Sequence, residues 1–264
     1  MTTVYVNRDK ELEAFEHNIA TLDWSLILVE GESGTGKTAL LVQFEKILKR
    51  KAVSRYFINF RNSTHTPIDI IDACLRMIGR THCAALQEAF DAFGQVSGIV
   101  IKDNRLTLGA RITIDAQLNL RSKQERDFWY SQISTALFED LAKAPERCYV
   151  LLMDTFEQAS DMVKAWVDTH LLPSIRSQRK LIVVISGQQV PALDVEWADH
   201  CKRLVLSGLE LSYWEAYARS LQVQLPHPEW LRAWYFLFKG KPAAMVGAFA
   251  ALSGQGASWP WKTH

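Results

Sequence analysis

Eight consecutive residues carry the clearest chemistry in this chain: Gly31-Glu32-Ser33-Gly34-Thr35-Gly36-Lys37-Thr38. Glycine, four residues, then Gly-Lys-Thr is the pattern of a phosphate-binding loop. Its glycines let the main chain wrap closely around an anion, and the N–H groups of Gly31 to Ala39 would supply neutral donors. Lys37 would reach the β- and γ-phosphates of a nucleotide, and the Thr38 hydroxyl would ligate Mg²⁺. The alternative is a glycine-rich turn without a ligand.

Binding a nucleotide is half of the chemistry; hydrolysis also needs a carboxylate for the metal and a group that activates water. Asp154 ends the apolar run Tyr149 to Asp154 (YVLLMD). There it would hold Mg²⁺ through water, or else cap the helix that follows. Many P-loop ATPases carry the water-activating Glu directly after this Asp. Here that position is Thr155, and the nearest acid is Glu157. Glu157 is either the general base, turned back toward the γ-phosphate, or a first-turn acid favoured by the helix dipole. After LIVVI comes Ser186-Gly187-Gln188-Gln189, where Ser186 or Gln188 could sense the γ-phosphate, or form a simple turn. Arg176 and Arg179 precede that run and could reach a neighbouring subunit, but surface residues are the simpler reading.

These residues need a scaffold. Trp24 to Glu30 (WSLILVE) has strand length, and Ala39 to Lys49 carries Leu40, Leu41, Phe44, Ile47 and Leu48 at helical spacing. A helix is expected from Asp9 to Ala20, a strand at Ser54 to Phe60, a helix from Pro67 to Ile78, and a helix from Gln124 to Leu141 with Phe128, Ile133, Leu137 and Leu141 in phase. YVLLM and LIVVI read as strands buried on both faces. Residues 95 to 120 alternate apolar and polar positions around Asp103-Asn104, which predicts a β-hairpin insertion near 96–120, or a loop. Strands alternating with helices predict an α/β fold: a parallel sheet sandwiched by helices over residues 1–207. A small all-helical, aromatic-rich subdomain is expected over 208–254, and a tail without helical pattern over 255–264.

Composition is that of a globular protein: 264 residues, 48% hydrophobic, net charge +1. Nothing in it suggests a DNA-coating or membrane-surface protein. Cys74, Cys83, Cys148 and Cys201 are scattered and read as reduced thiols of a cytoplasmic protein. The start lacks a basic-then-apolar signal, and no apolar run has membrane length. His65, His82, His170 and His200 show no metal spacing. Of the nine tryptophans, Trp214, Trp230, Trp234, Trp259 and Trp261 crowd the C-terminal fifth, as core or as an interaction surface.

Taken in order, the motifs resemble those of STAND-type ATPases and origin-recognition-like ATPases of the AAA+ grouping. Val6 to Leu12 (VNRDKEL) is similar to the Asn/Gly-Arg-x-x-Glu-Leu box that packs on the adenosine, which implies nucleotide contacts for Asn7 and Arg8. LLMDTFEQ resembles a STAND Walker B segment, LIVVISGQQ the strand with the first sensor, and FKGKPAAM the Gly-x-Pro motif, which implies that Pro242 packs near adenine. Two features depart from that pattern. Gln188 stands where Arg or Asn is usual, and the chain stops soon after the Gly-x-Pro helix. An excised module and a minimal relative both remain open.

The resemblance implies a regulatory switch that binds ATP or ADP with Mg²⁺ and hydrolyses slowly. It implies self-association in the ATP state and effector or sensor partners. Nucleic acid is not expected as a partner, nor a membrane. The alternatives are a DNA-associated AAA+ ATPase, revived by nucleic-acid binding with a steep salt dependence, and a small-substrate P-loop kinase.

Overall fold

The computed structural model describes residues 8–61, 64–98, 108–221, 227 and 229–252. Helix α1 (Asp9–Thr21) leads into strand β1 (Leu26–Gly31) and helix α2 (Lys37–Arg50). Strand β2 (Ser54–Asn59) and helix α3 (Pro67–Ile78) follow, then α4 (Ala84–Ser97), α5 (Leu108–Asn119) and α6 (Lys123–Lys143). Strand β3 (Tyr149–Asp154), helices α7 (Asp161–Trp166) and α8 (Leu172–Ser177), β4 (Leu181–Gly187) and β5 (Cys201–Leu206) complete the sheet. Helices α9 (Leu211–Ser220), α10 (Glu229–Phe238) and α11 (Pro242–Leu252) close the described chain. A π turn at Val167–Leu171 joins α7 to α8. Pro173, which cannot donate to the preceding turn, accounts for that irregularity.

The five strands are parallel in the order β2-β3-β4-β1-β5. Alternate residues of each strand point to opposite faces. On one face, Leu26, Leu28, Leu151, Met153, Val183 and Ile185 pack with residues of α3, α4, α6, α7 and α8. On the other, Ile27, Val29, Val150, Leu152, Ile182 and Val184 pack under α1 and α2. There the Phe15 and Phe44 rings stack with centroids 3.9 Å apart. Full burial of each such side chain contributes about 2 kcal/mol. This double covering is why YVLLMD and LIVVI are apolar at every inner position.

The expected hairpin near 96–120 is corrected at both of its described ends: residues 96 and 97 close α4. Leu108–Asn119 is a helix. Apolar residues at 112, 114, 116, 118 and 120 alternate like a strand, but only Ile114 and Leu118, four apart on one helical face, are buried. Ile112 is 60% exposed and Leu120 80%. Asp103 and Asn104 lie outside the described residues. In α6, Ile133, Leu137 and Leu141 are buried as expected, whereas Phe128 is exposed.

Helix α5 is held to α3 by a cluster of charges. Thr66 caps α3 in a reciprocal box with Asp69. Arg111 donates to Asp69 at 2.6 Å and lies 3.5 Å from Asp72, which also pairs with Arg76 at 2.7 Å. Asp115 accepts from the Thr66 hydroxyl at 2.8 Å. Burial, with the nearby Asp69 carboxylate adding to it, pushes the Asp115 pKa up to about 6, against the pull of Thr66 and Arg111.

Helices α9 to α11 have their own core of Trp214, Tyr217, Leu231, Met245, Val246 and Phe249. Of the C-terminal tryptophans, Trp214 is core and Trp230 is exposed, while Trp259 and Trp261 lie outside the described residues, as does the tail 255–264.

Candidate nucleotide site

Strand β1 delivers the chain to Gly31 at the carboxyl edge of the sheet, and α2 starts six residues later. Gly34 and Gly36 have φ of 83° and 94°. Only glycine enters that region without steric cost. Gly36 is the N-cap of α2, and no side chain caps the helix there. A helix start without a side-chain cap keeps its first N–H groups for another acceptor, which is the physical basis of anion binding. Ala39 lies in that first turn, and Glu32 and Ser33 are exposed on the loop.

Lys37 reaches back across the loop. Its Nζ donates to the carbonyls of Gly31 at 2.7 Å and Glu32 at 2.9 Å. Burial lowers its pKa from the ordinary lysine value, opposed first by Glu157 and then by Asp154. Both carboxylates therefore act on the ammonium that the loop carries.

Asp154, 1% exposed, is the centre of a polar cluster at the sheet's edge. Its Oδ2 accepts from the Thr38 hydroxyl at 2.8 Å and from Asn59 Nδ2 at 3.2 Å. Its Oδ1 accepts from the Ser186 hydroxyl at 2.6 Å. The expected metal pair, Thr38 and Asp154, is thus in direct contact. All three donors are neutral, so they orient the carboxylate without cancelling its charge. A buried carboxylate in that state favours a nearby cation. Among the described residues no group of three or more His, Cys, Asp or Glu could hold a metal alone. A hydroxyl beside one carboxylate instead fits a hard divalent ion that shares its coordination with phosphate oxygens.

Asn59 escaped the sequence reading. The β2–β3 register pairs Asn59 with Asp154, which sets the two side by side. A polar residue closing the run SRYFIN was the available signal. Ser186 is at the expected strand end but is fully buried, with its hydroxyl committed to Asp154.

Thr155 follows Asp154 with φ 59° and ψ 44°, in the left-handed region, which is strained for a β-branched residue. It turns the chain into the 3₁₀ turn Phe156–Gln158. Glu157 is thereby returned to the end of β4, where its Oε2 accepts from the Gln188 main-chain N–H at 3.0 Å and its Oε1 from Gln188 Nε2 at 3.3 Å. The Phe60 and Phe156 rings meet edge-on at 6.1 Å and brace the two loops.

On the far side of the loop, Arg8 donates to the carbonyls of Thr35 at 3.1 Å and Ser207 at 2.6 Å. Burial lowers its pKa, partly offset by Glu11. Asn7 lies outside the described residues. The turn into α11 sits directly on the loop. Ala243 N–H donates to Gly34 O at 3.1 Å, Lys241 pairs with Glu32, and a Cβ at Gly36 would lie 3.8 Å from Pro242 Cγ. A cavity of about 530 Å³ opens between loop and turn, lined by Glu32, Thr35, Gln188, Ser207, Lys239 and Lys241 among others. That volume lies within the usual range for small-molecule sites.

Compared with solved structures, the chain overlays on a STAND protein with a tetratricopeptide-repeat sensor from Pyrococcus horikoshii. The TM-score is 0.51 at 16% identity, covering 92% of this chain and 29% of that one. The fold is the α/β fold of P-loop NTPases: a five-stranded parallel sheet with flanking helices. A structure of Drosophila ORC bound to DNA has a TM-score of 0.45 at 13% identity, covering 75% of this chain and 90% of that one. Among curated proteins, an uncharacterized ATP-binding protein of Pyrococcus abyssi is 24% identical over 160 residues, which are 60% of this chain and 44% of that protein. The chain therefore spans less than half the length of that relative. No family model matches. No described helix is long and apolar enough to cross a membrane.

Proposed function

We propose that this chain is the ATP-binding module of a nucleotide-dependent switch, with slow, Mg²⁺-dependent hydrolysis controlling its conformation and self-association. One observation carries the reading: the same loop touches both halves of a switch. Thr38 bonds Asp154 on the sheet side, while Gly34 and Glu32 bond Ala243 and Lys241 of the helical side. A ligand seated on Gly31 to Ala39 would act on both sets of contacts at once, which is how a γ-phosphate biases a two-state element. Residues 208–254 act in this reading as a helical lid on the core 1–207. Arg8 and Pro242 flank the nucleoside end.

Lys37 and the α2 N-terminus bind the phosphates. Thr38 and Asp154 would hold Mg²⁺, which would supply charge neutralisation for the bound phosphates. Ser186 and Asn59 fix the Asp154 carboxylate, and Glu157 serves as the base for water. A signal-transduction ATPase among the solved structures and an ATP-binding protein among the curated ones support this reading.

Size-exclusion chromatography with light scattering tests it: without nucleotide, with ADP–Mg²⁺, and with a non-hydrolysable ATP analogue, using Lys37→Ala as control. A larger species with the ATP analogue alone, lost in Lys37→Ala, is the expected result. A chain that binds nucleotide yet stays one size throughout would remove the self-association part of the reading.

A further inference from the structure

Two departures from the usual pattern, an acid displaced from the strand and a glutamine at the end of the neighbouring strand, meet in one place. A side chain on a strand has its direction set by the pleat. Glu157 has no such support, because it lies beyond the left-handed Thr155 in a single 3₁₀ turn. Its holders come from elsewhere. Lys164 Nζ donates to its carbonyl at 3.0 Å. Gln188 donates to both carboxylate oxygens, one from the main chain and one from the side chain. Gly187 makes the approach possible, since a Cβ there would lie 2.7 Å from Glu157 Oε2. Glu157 also ranks first among the carboxylates acting on Lys37.

We propose that Gln188 is the positioning residue for Glu157: the end of β4 holds the carboxylate that the strand β3 does not. This rests on the ATPase reading of the site and names the residue that orients its base. A base oriented by a third group is the general arrangement for proton abstraction. Each carboxylate oxygen has about two acceptor positions, so one donor on each fixes the plane and leaves room for water. In the step itself, Glu157 takes a proton from water as the water oxygen bonds to the γ-phosphorus. The bond from that phosphorus to the β–γ bridging oxygen breaks, and ADP leaves with the electron pair. Glu157 then releases the proton to solvent.

The experiment is single-turnover hydrolysis of Mg²⁺–ATP by the full chain, beside the affinity for a fluorescent ATP analogue. Gln188→Met keeps the length and the main-chain N–H but removes the side-chain donor. It should slow hydrolysis about tenfold while affinity stays within about twofold. Glu157→Gln should slow it about a hundredfold or more, and adding Gln188→Met to it should cost nothing further. Gln188→Arg, which keeps a donor, should recover most of the rate. Wild-type turnover in Gln188→Met, multiplied penalties in the double variant, or a wild-type chain that binds ATP without hydrolysing it would each overturn the proposal. A Lys37→Ala chain that still binds the analogue would instead overturn the site reading beneath it.

Discussion

Two polar clusters in this molecule treat carboxylates in opposite ways. Between α3 and α5, Asp69 and Asp72 are answered by guanidinium groups of Arg111 and Arg76. At the carboxyl edge of the sheet, the hydrogen bonds to Asp154 come from two hydroxyls and an amide, and the Lys37 ammonium acts on it from farther away. In the first cluster Asp69 and Asp72 are balanced by guanidiniums, and the pairing joins helices. The second is ordered but unbalanced. Preorganised charge without a contacting ion pair is what a site needs and what a joint avoids.

The largest expected effect lies in the unbalanced cluster. Asp154→Ala should abolish the dependence of nucleotide binding and hydrolysis on Mg²⁺, slowing turnover by about a hundredfold, with far-ultraviolet circular dichroism unchanged. A variant that still responds to Mg²⁺ would place the metal elsewhere. In the balanced cluster the response should be structural. Arg111→Ala takes the guanidinium from the partly buried Asp69, leaves Asp72 with Arg76 alone, and should cost about 2 kcal/mol in urea denaturation, leaving nucleotide affinity near wild type. A loss in affinity as large as the loss in stability would erase the distinction between the clusters.

Asp115 allows a finer comparison. Its pKa is raised to about 6 in the folded chain from 3.8, so the native state binds its proton more tightly than the unfolded state does. Stability from this group is gained as pH falls from about 6 toward 4, and lost as pH rises through the same window. Asp115→Asn should flatten that slope and raise stability at pH 7 by about 1 kcal/mol after allowance for partial exposure. An unchanged slope from pH 4 to 6 would show that other groups set it. The smallest effect belongs to the Glu32–Lys241 pair, in which Glu32 is exposed and Lys241 partly buried. Lys241→Ala should shift the thermal midpoint by no more than about 0.5 kcal/mol in equivalent stability; a larger shift would mean that the helical unit depends on this contact to stay seated.

Much of this was legible in the chain, for reasons that differ by residue. The loop from Gly31 to Thr38 is local, so its glycine spacing is read directly. The inner strands announce themselves because burial on two faces leaves no polar alternation. Asp154 is marked by its place at the end of such a run. Asn59 carries no local mark, because its meaning comes from register with β3. Ser186 sits at a strand end as expected, but sequence cannot say whether a hydroxyl turns outward or toward a neighbouring strand. Residues 108–119 mislead because a period of two also contains every fourth position, and only packing shows which set is buried.

Among the described residues the sheet ends at β5, which has a strand partner on one side only, β1. Along it Val205 and Arg203 are exposed and Lys202 is half-buried over the Trp24 ring. A bare strand border templates the addition of foreign strands, and basic side chains there discourage it. Lys202 and Arg203, the latter paired with Glu30 at 2.6 Å, put charge on that border. Neutralising them would be felt first as aggregates at concentrations where the wild-type chain stays dispersed, well before any change in how it handles phosphate.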